Sequence, residues 1–355
     1  MVETLGVVVE ARSAPRAGWR ATSGLEIYHD RVASSAAAAD LATGATATRR
    51  GLYPDGATAT SLAAFTLHSL DIGRLGLTLG GRFNSFAIEA DDPVVGRIDV
   101  RPRALVGSAS ALWRLTPDQH LVASVNTGFR APNISDVGSL GPFDFGVEVP
   151  SPDLRPERSL TFELGHKARM GRVASTVALF STRLEDLIER VESTYQGSPT
   201  LDGDRVYRKE NVGEAQLRGV EAEVEVVLPL RSALAAAVVY AHGQNLGLDE
   251  PMRRIPPLHG RVALRVAPTR DASGEIEWLW AAEQNRLASG DRADHRIDPE
   301  GTPGWSVLNL RAAWDVGPLR LRLGVENLFD EAYRTHGSGI DGMGRAAWAA
   351  VEAGF

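Results

Sequence analysis

Between Leu308 and Val316 the chain alternates: Leu308, Leu310, Ala312, Trp314 and Val316 fall on one side, Asn309, Arg311 and Asp315 on the other. Past Gly317-Pro318, Leu319, Leu321, Leu323 and Val325 alternate with Arg320, Arg322 and Glu326. A period of two, with apolar residues on one face and charges on the other, predicts strands. Val220, Ala222, Val224 and Val226 against Glu221, Glu223 and Glu225 read the same way, as do Leu75, Leu77 and Leu79 against Gly76, Thr78 and Gly80. Carried along the chain, the pattern predicts about fifteen strands. They lie near 3–12, 17–32, 59–71, 74–88, 101–115, 119–130, 158–170, 172–190, 205–228, 231–243, 258–267, 275–288, 305–316, 318–327 and 345–355. No helix longer than two turns is predicted, and Ala33–Ala39, rich in Ala and Ser, reads as part of a loop.

The connections alternate in length. Short turns fall at Asp71-Ile72-Gly73, Thr116-Pro117-Asp118, Met170-Gly171, Pro229-Leu230 and Gly317-Pro318. Between them lie long polar loops near 33–58, 89–100, 131–157, 191–204, 244–257, 289–304 and 328–344. A soluble sandwich has no reason to collect its long loops at one end, whereas an outer-membrane barrel has short periplasmic turns and long extracellular loops. Many predicted strands exceed the roughly 9–11 residues that cross a bilayer. The expected fold is therefore all-β, a transmembrane antiparallel barrel wall whose apolar face meets lipid and whose charged face lines a watery lumen. Trp19, Tyr28, Trp113, Phe129, Tyr240, Trp278, Trp305 and Trp314 fall towards strand ends, where interfacial aromatic girdles belong. An odd strand count makes the first and last strands run in the same direction, so they are not expected to join as an antiparallel pair.

Composition adds exclusions. The 355 residues carry a formal net charge of −7, which argues against nucleic acid as a partner. With no cysteine there is no disulfide, thiolate metal site or cysteine nucleophile. The longest apolar run, Ala233–Ala241, is too short for a membrane helix. Met1-Val2-Glu3-Thr4-Leu5 lacks the basic and apolar regions of a signal peptide.

Candidate chemistry is sparse. Gly337-Ser338-Gly339-Ile340-Asp341-Gly342 has dinucleotide-fingerprint spacing, but the residues after it alternate like a strand, and the fingerprint needs a helix there. Gly44–Gly51 lacks the Gly-Lys-Ser/Thr ending of a phosphate loop. His29-Asp30 and Asp294-His295 are adjacent on strand-like segments, so their side chains point apart and neither has a third member. Asp291, Asp294 and Asp298 do not fit an EF-hand spacing and read as an acidic, solvated loop. The expectation is that the chain is not an enzyme and needs no cofactor or metal.

Several segments together resemble TonB-dependent outer-membrane receptors. The most specific are Gly128-Phe129-Arg130-Ala131-Pro132-Asn133 and, after it, Ser151-Pro152-Asp153-Leu154-Arg155-Pro156-Glu157-Arg158, with Ser151 where the family usually has Asn. Gly165, Asn211-Val212-Gly213, Gly219-Val220-Glu221 and Val325-Glu326-Asn327-Leu328-Phe329-Asp330-Glu331-Ala332-Tyr333 add to the likeness, which runs from about residue 17 to the C-terminus. Met343 stands where proline is frequent before Gly344-Arg345. The terminal strand, with Ala347, Ala349, Val351, Ala353 and Phe355 on one face, suits the barrel-assembly signal, Phe355 being its last residue.

The resemblance implies an outer-membrane receptor barrel for energised uptake of a siderophore-like or other bulky nutrient. Residues 1–355 are expected to be part of a barrel of about 22 strands, without the plug domain or the box that binds the energising partner. Implied partners are outer-membrane lipid, the barrel-assembly machinery and the ligand, with the inner-membrane energising partner engaged only if a plug lies upstream. Asn133–Pro150 contains no histidine, which puts haem below siderophore. Arg130, Asp136 and His336 are the candidate ligand contacts. The alternatives are a non-functional fragment or split-gene product, a passive porin-like barrel, and a soluble all-β domain.

Overall fold

The computed structural model describes residues 1–94, 96–143 and 146–354. Fifteen long strands form the wall. They are β1 (Val2–Arg12), β2 (Trp19–Val32), β3 (Thr58–Ile72), β4 (Leu75–Asp92), β5 (Arg103–Thr116), β6 (Gln119–Arg130), β7 (Glu157–Met170), β8 (Val173–Glu185), β9 (Ala215–Leu228), β10 (Ser232–Asn245), β11 (His259–Val266), β12 (Ala272–Ala281), β13 (Trp305–Val316), β14 (Leu319–Glu326) and β15 (Ala346–Ala353). With two short strands, Gly96–Val100 and Glu250–Pro251, they belong to one 17-stranded sheet. Its registers are antiparallel hairpins between sequence neighbours, as in β3–β4, where Ile72 faces Leu75, and β13–β14, where Val316 faces Leu319. Two-residue hairpins need a left-handed backbone, and Gly73 (φ 56°) and Gly171 (φ 58°) supply it.

The chain divides into two compact units. The first holds Met1–Ala111, Ser124–Thr161 and Arg183–Glu214, the second Leu112–Ala123, Phe162–Thr182 and Ala215–Phe355. In the first, Val7 faces Ile27, Ile27 faces Leu62 and Ala64 faces Phe83, so one face carries an apolar band. Val7, Ile27, Leu62 and Phe83 are all exposed. On the opposite face Arg82 donates to both oxygens of Glu26, at 3.0 and 2.6 Å, and to Asn84 at 2.8 Å. In the second unit the register runs Val224, Ala236, Val262, Trp278, Leu308 from strand to strand. Further along, Trp314 faces Leu321 and Leu321 faces Val351. The other face holds Arg311, which bridges Glu275, Glu277 and Glu326 at 2.8–2.9 Å.

This inside-out pattern is what a lipid-facing wall requires. A water-soluble sheet would bury its apolar face, yet Leu105 is 79% exposed and Trp314 59%. Leu319, Leu321, Leu323 and Val325 share that outward face, and none of them is buried. The dry core lies instead under the loops of the first unit, where Ala57, Ile88, Ala90, Ile98, Ile134, Val137 and Leu154 pack together.

Predicted and observed strands agree for the wall, except that β12 ends at Ala281 where the predicted strand ran to 288; three larger differences fall in the loops. The segment 172–190 is not one strand: β8 ends at Glu185, Asp186 turns left-handed (φ 55°), and Ile188–Glu192 pairs elsewhere. Likewise 205–228 splits into Asp204–Asn211 and β9, so the loop predicted at 191–204 runs from Asp186 to Glu214. Alternation continues through both breaks and hides them. Those two strands join Gly141–Phe143 and Gly146–Val149 in a separate sheet, with Gly146–Val149 parallel to the strand Asp204–Asn211. Third, Ser35–Ala39, predicted as loop, pairs with Thr46–Arg50 in a hairpin. β1 is paired along its length to β2 and β15 to β14; both strands are exposed almost throughout, and among the described residues no further strand of its own unit pairs with either. Phe355 lies outside the described residues.

Candidate functional site

The Phe-Arg-Ala-Pro box sits where β6 leaves the wall. Pro132 is fully buried and forces the chain out of the strand. Asn133 then caps the one-turn helix Ile134–Gly138: its Oδ1 accepts from Asp136 N at 3.0 Å while Asp136 Oδ2 accepts from Asn133 N at 3.1 Å. That reciprocal cap fixes Asp136 beneath Arg130. The Arg130 guanidinium spans two carboxylates, Asp136 Oδ2 at 2.6 Å and both oxygens of Glu157 at 2.7 and 2.9 Å. Glu157 also accepts from Ile188 N at 2.8 Å, so one arginine ties together the ends of β6 and β7, the helix and the loop sheet.

Behind Asp136 is a second cation. Lys209 Nζ lies 3.1 Å from Asp136 Oδ1, 3.1 Å from Glu148 Oε1 and 3.0 Å from Ser135 O, and the residue is 9% exposed. Arg190 completes the network on Glu148. Burial pushes the Asp136 carboxyl up, but the Asn133 N–H, Arg130 and Lys209 outweigh it and hold it below its usual value. Arg130, Lys209 and Arg190 thus balance Asp136, Glu148 and Glu157. Balanced charge in a buried site avoids the desolvation penalty of a lone ion.

The second box acts as a bracket. Leu154 enters the core, while Pro152 and Asp153 stay exposed. Asn211 accepts from Arg155 N at 2.8 Å and donates to the carbonyls of Arg155 (2.9 Å) and Asp186 (2.6 Å). Ser151, where the family usually has Asn, accepts from Lys209 N at 3.0 Å. Near the chain's end Asn327 is left-handed (φ 50°) and 3% exposed. It donates to the carbonyls of Glu331 and Met343 and accepts from Glu331 N, which pins the last long loop.

His336 lies in that loop, far along the chain from Arg130. Its Nδ1 meets the Thr302 hydroxyl at 2.8 Å, and its buried Nε2 has no hydrogen-bond partner among the described residues. Burial lowers its pKa, against the pull of Asp291. Asp291 and Asp294, expected to be solvated, are instead 1% exposed. Asp294 bonds Arg254 at 2.7 Å and Arg296 at 2.8 Å, which holds its carboxyl far below the ordinary range, while Asp291 accepts from Arg254 N. Arginines within the same pair of loops explain the difference: they let the acids be buried as ion pairs. Gly337–Gly342 is an irregular turn followed by β15, with no helix after it.

Arg130 and Glu157 lie inside the two boxes, and Asp136, a candidate contact from the sequence, lies between them; the structure joins the three. Sequence reading missed Glu148, Arg190 and Lys209, which carry no motif and meet only because the loop sheet forms.

A wall with an exposed apolar face, a charged opposite face and long loops alternating with short turns defines an outer-membrane β-barrel protein. Residues 6–328 match the family described as TonB dependent receptor-like, beta-barrel, and the chain belongs to that family. It is 23% identical over 259 residues to the iron-regulated outer membrane virulence protein of Vibrio cholerae, covering 69% of this chain and 38% of that protein. It is 21% identical to the ferric aerobactin receptor of Escherichia coli, covering 93% of this chain and 47% of the receptor. Among solved structures the copper transporter OprC shares the fold with a TM-score of 0.81 at 20% identity, covering 100% of this chain and 56% of that one. The chain therefore spans about half the length, or less, of these curated relatives.

Proposed function

We propose that residues 1–355 supply the wall and the ligand-holding extracellular loops of a receptor for energised uptake of a siderophore-like or other bulky nutrient. The observation that carries this reading is membership of the receptor-barrel family across residues 6–328. Relatives named for ferric aerobactin and for iron regulation favour an iron-chelate ligand. In this reading Arg130, half-exposed and held by two carboxylates, borders the ligand. Asp136, 7% exposed, positions Arg130 from beneath, and His336 offers a contact from the last long loop. The loop network is pre-organised, which reduces the ordering cost of binding. The reading assigns the chain no chemical reaction; energy coupling is left to a plug and an inner-membrane partner.

The test is a titration of the full chain, folded in detergent, with ferric hydroxamate and catecholate chelates, haem and cobalamin, followed by tryptophan fluorescence. Saturable binding of a ferric chelate, weakened in Arg130→Gln, is expected. If none of the four ligand types binds, the receptor reading fails, and a passive porin-like barrel or a fragment without transport takes its place.

A further inference from the structure

Where β5, β7 and β8 meet the loops, the apolar face of the wall carries arginines. Arg103 opens β5 and has the same parity as the exposed Leu105 and Trp113. Arg158 is the second residue of β7, in phase with the exposed Phe162 and Leu164. Arg183 lies near the loop end of β8, in phase with Val177 and Leu179. Parity places all three cations on the face that carries the exposed apolar side chains of these strands. Arg103, Arg158 and Arg183 line one groove with Leu105, Phe129 and Leu160.

The three differ in how they are compensated. Arg183 is paired with Glu185 and Glu214. Among the described residues neither Arg103 nor Arg158 has an ion-pair or hydrogen-bond partner, and both are exposed. Two uncompensated guanidiniums on a lipid-facing surface would be costly at mid-bilayer, but the cost falls towards the interface, where an anionic group can answer them. Long side chains reaching the headgroup layer from the last apolar turn of a wall are suited to this. Guanidinium forks match phosphate oxygens in two-point geometry, and the flanking Leu105 and Leu160 suit the start of an acyl chain.

We propose that this groove is a binding site for the phosphate-bearing headgroup of an anionic membrane lipid in the leaflet at the loop end. Arg103 and Arg158 clasp the phosphate, Arg183 stays with its carboxylates, and the apolar flanks seat the chains. The site is separate from the loop network around Arg130 and Asp136, so it stands or falls independently of any nutrient ligand.

The experiment is native mass spectrometry of the full chain released from phosphatidylcholine-containing mixed micelles doped with diphosphoryl lipid A. Retention of lipid A over phosphatidylcholine is expected. About 1 kcal/mol per arginine near a charged surface corresponds to roughly fivefold weaker retention for Arg103→Gln or Arg158→Gln and about thirtyfold for the double variant. The double Arg→Lys variant keeps the charge but loses the two-point fit, so its retention should fall between the wild type and the double Gln variant, and Arg208→Gln, an exposed change in the loop sheet, should leave it unchanged. Heat-modifiable gel mobility of each variant reports folding, and retention is read only from the folded band. Equal retention by the folded double Gln variant, or of phosphatidylcholine and lipid A alike, overturns the proposal. Displacement by equimolar inorganic phosphate overturns the lipid assignment and makes the groove a free-phosphate site.

Discussion

Lys209 is the residue on which the buried loop network turns. It neutralises Asp136 and Glu148 at once, and both carboxylates are under a tenth exposed. Removing one partner of a buried ion pair costs more than the pair gains, because the other charge is left desolvated. Lys209→Met should therefore destabilise the loop sheet by about 3–5 kcal/mol, read as faster amide exchange in 146–149 and 204–211 with β9 and β10 unchanged. Unchanged exchange in the loop sheet would show that the network is incidental. Asp136 gives the same network an acid limit. Its folded pKa lies below the ordinary 3.8, so its stabilisation is complete above that value and is lost only as pH falls further, through the folded value. His336 behaves in the opposite range. Burial lowers its folded pKa below 6.5, so the folded loop disfavours the imidazolium, and stability drops as pH falls through 6.5 until the folded value is passed. Amide protection across 328–345, taken relative to the intrinsic exchange rate at each pH, should fall between neutral and mildly acidic pH in the wild type and not in His336→Gln; an equal fall in both would put the acid sensitivity elsewhere. None of this chemistry was visible from composition. Arg130 stood out because a family box carries it and Asp136 because it follows three residues after that box, whereas Lys209 joins Asp136 from 73 residues away along the chain, a distance no local pattern reports.

At the level of strands, the alternation of apolar and charged residues was nearly sufficient. It marked all fifteen wall strands because each has one face in an apolar setting and one in a polar setting, which is the condition for a clean period of two. It failed in the loop between Asp186 and Glu214, where short strands keep alternating but change sheets, and the turns that separate them depend on backbone torsions. Asp186 and Asn211 were the available hints, because aspartate and asparagine tolerate left-handed turns and bond backbone groups: Asp186 is left-handed here, and the Asn211 amide bonds the backbone of Arg155 and Asp186. The register also says which substitutions the wall tolerates. Leu323 points outward from β14 between Ala312 and Ala349, and its neighbour Arg322 points the other way to Glu352. Leu323→Arg should cost roughly 2–4 kcal/mol, depending on its depth in the bilayer. Arg322→Leu removes a half-exposed ion pair worth at most about 1 kcal/mol. Refolding into lipid vesicles, scored by heat-modifiable mobility, should fall for the first variant and hold for the second. Equal tolerance of both would mean that β14 does not present Leu323 to lipid.

For the molecule as a whole, the alternation of connections sets the topology, because antiparallel hairpins joined in sequence put every second connection on the same side of the membrane. Arg74, Arg172 and Arg231 lie in the short turns at one end, and Arg49, Arg205 and Arg208 in long connections at the other. All six are exposed, so in a water-soluble protein trypsin would reach both groups in one molecule. In a wall that spans a bilayer the two groups lie on opposite sides, and added protease meets only one of them. With the full chain inserted into sealed vesicles, each molecule should therefore be cut at the long-loop arginines or at the short-turn arginines, according to its orientation, and never at both. Mass analysis of intact fragments distinguishes the cases, since a product spanning Arg208 to Arg231 requires cuts at both ends. That product should be absent from sealed vesicles and appear once detergent opens them. Its presence while the vesicles remain sealed would mean that the sheet lies in water, and the exposed apolar face along β9 to β15 would then need a protein partner rather than lipid to cover it.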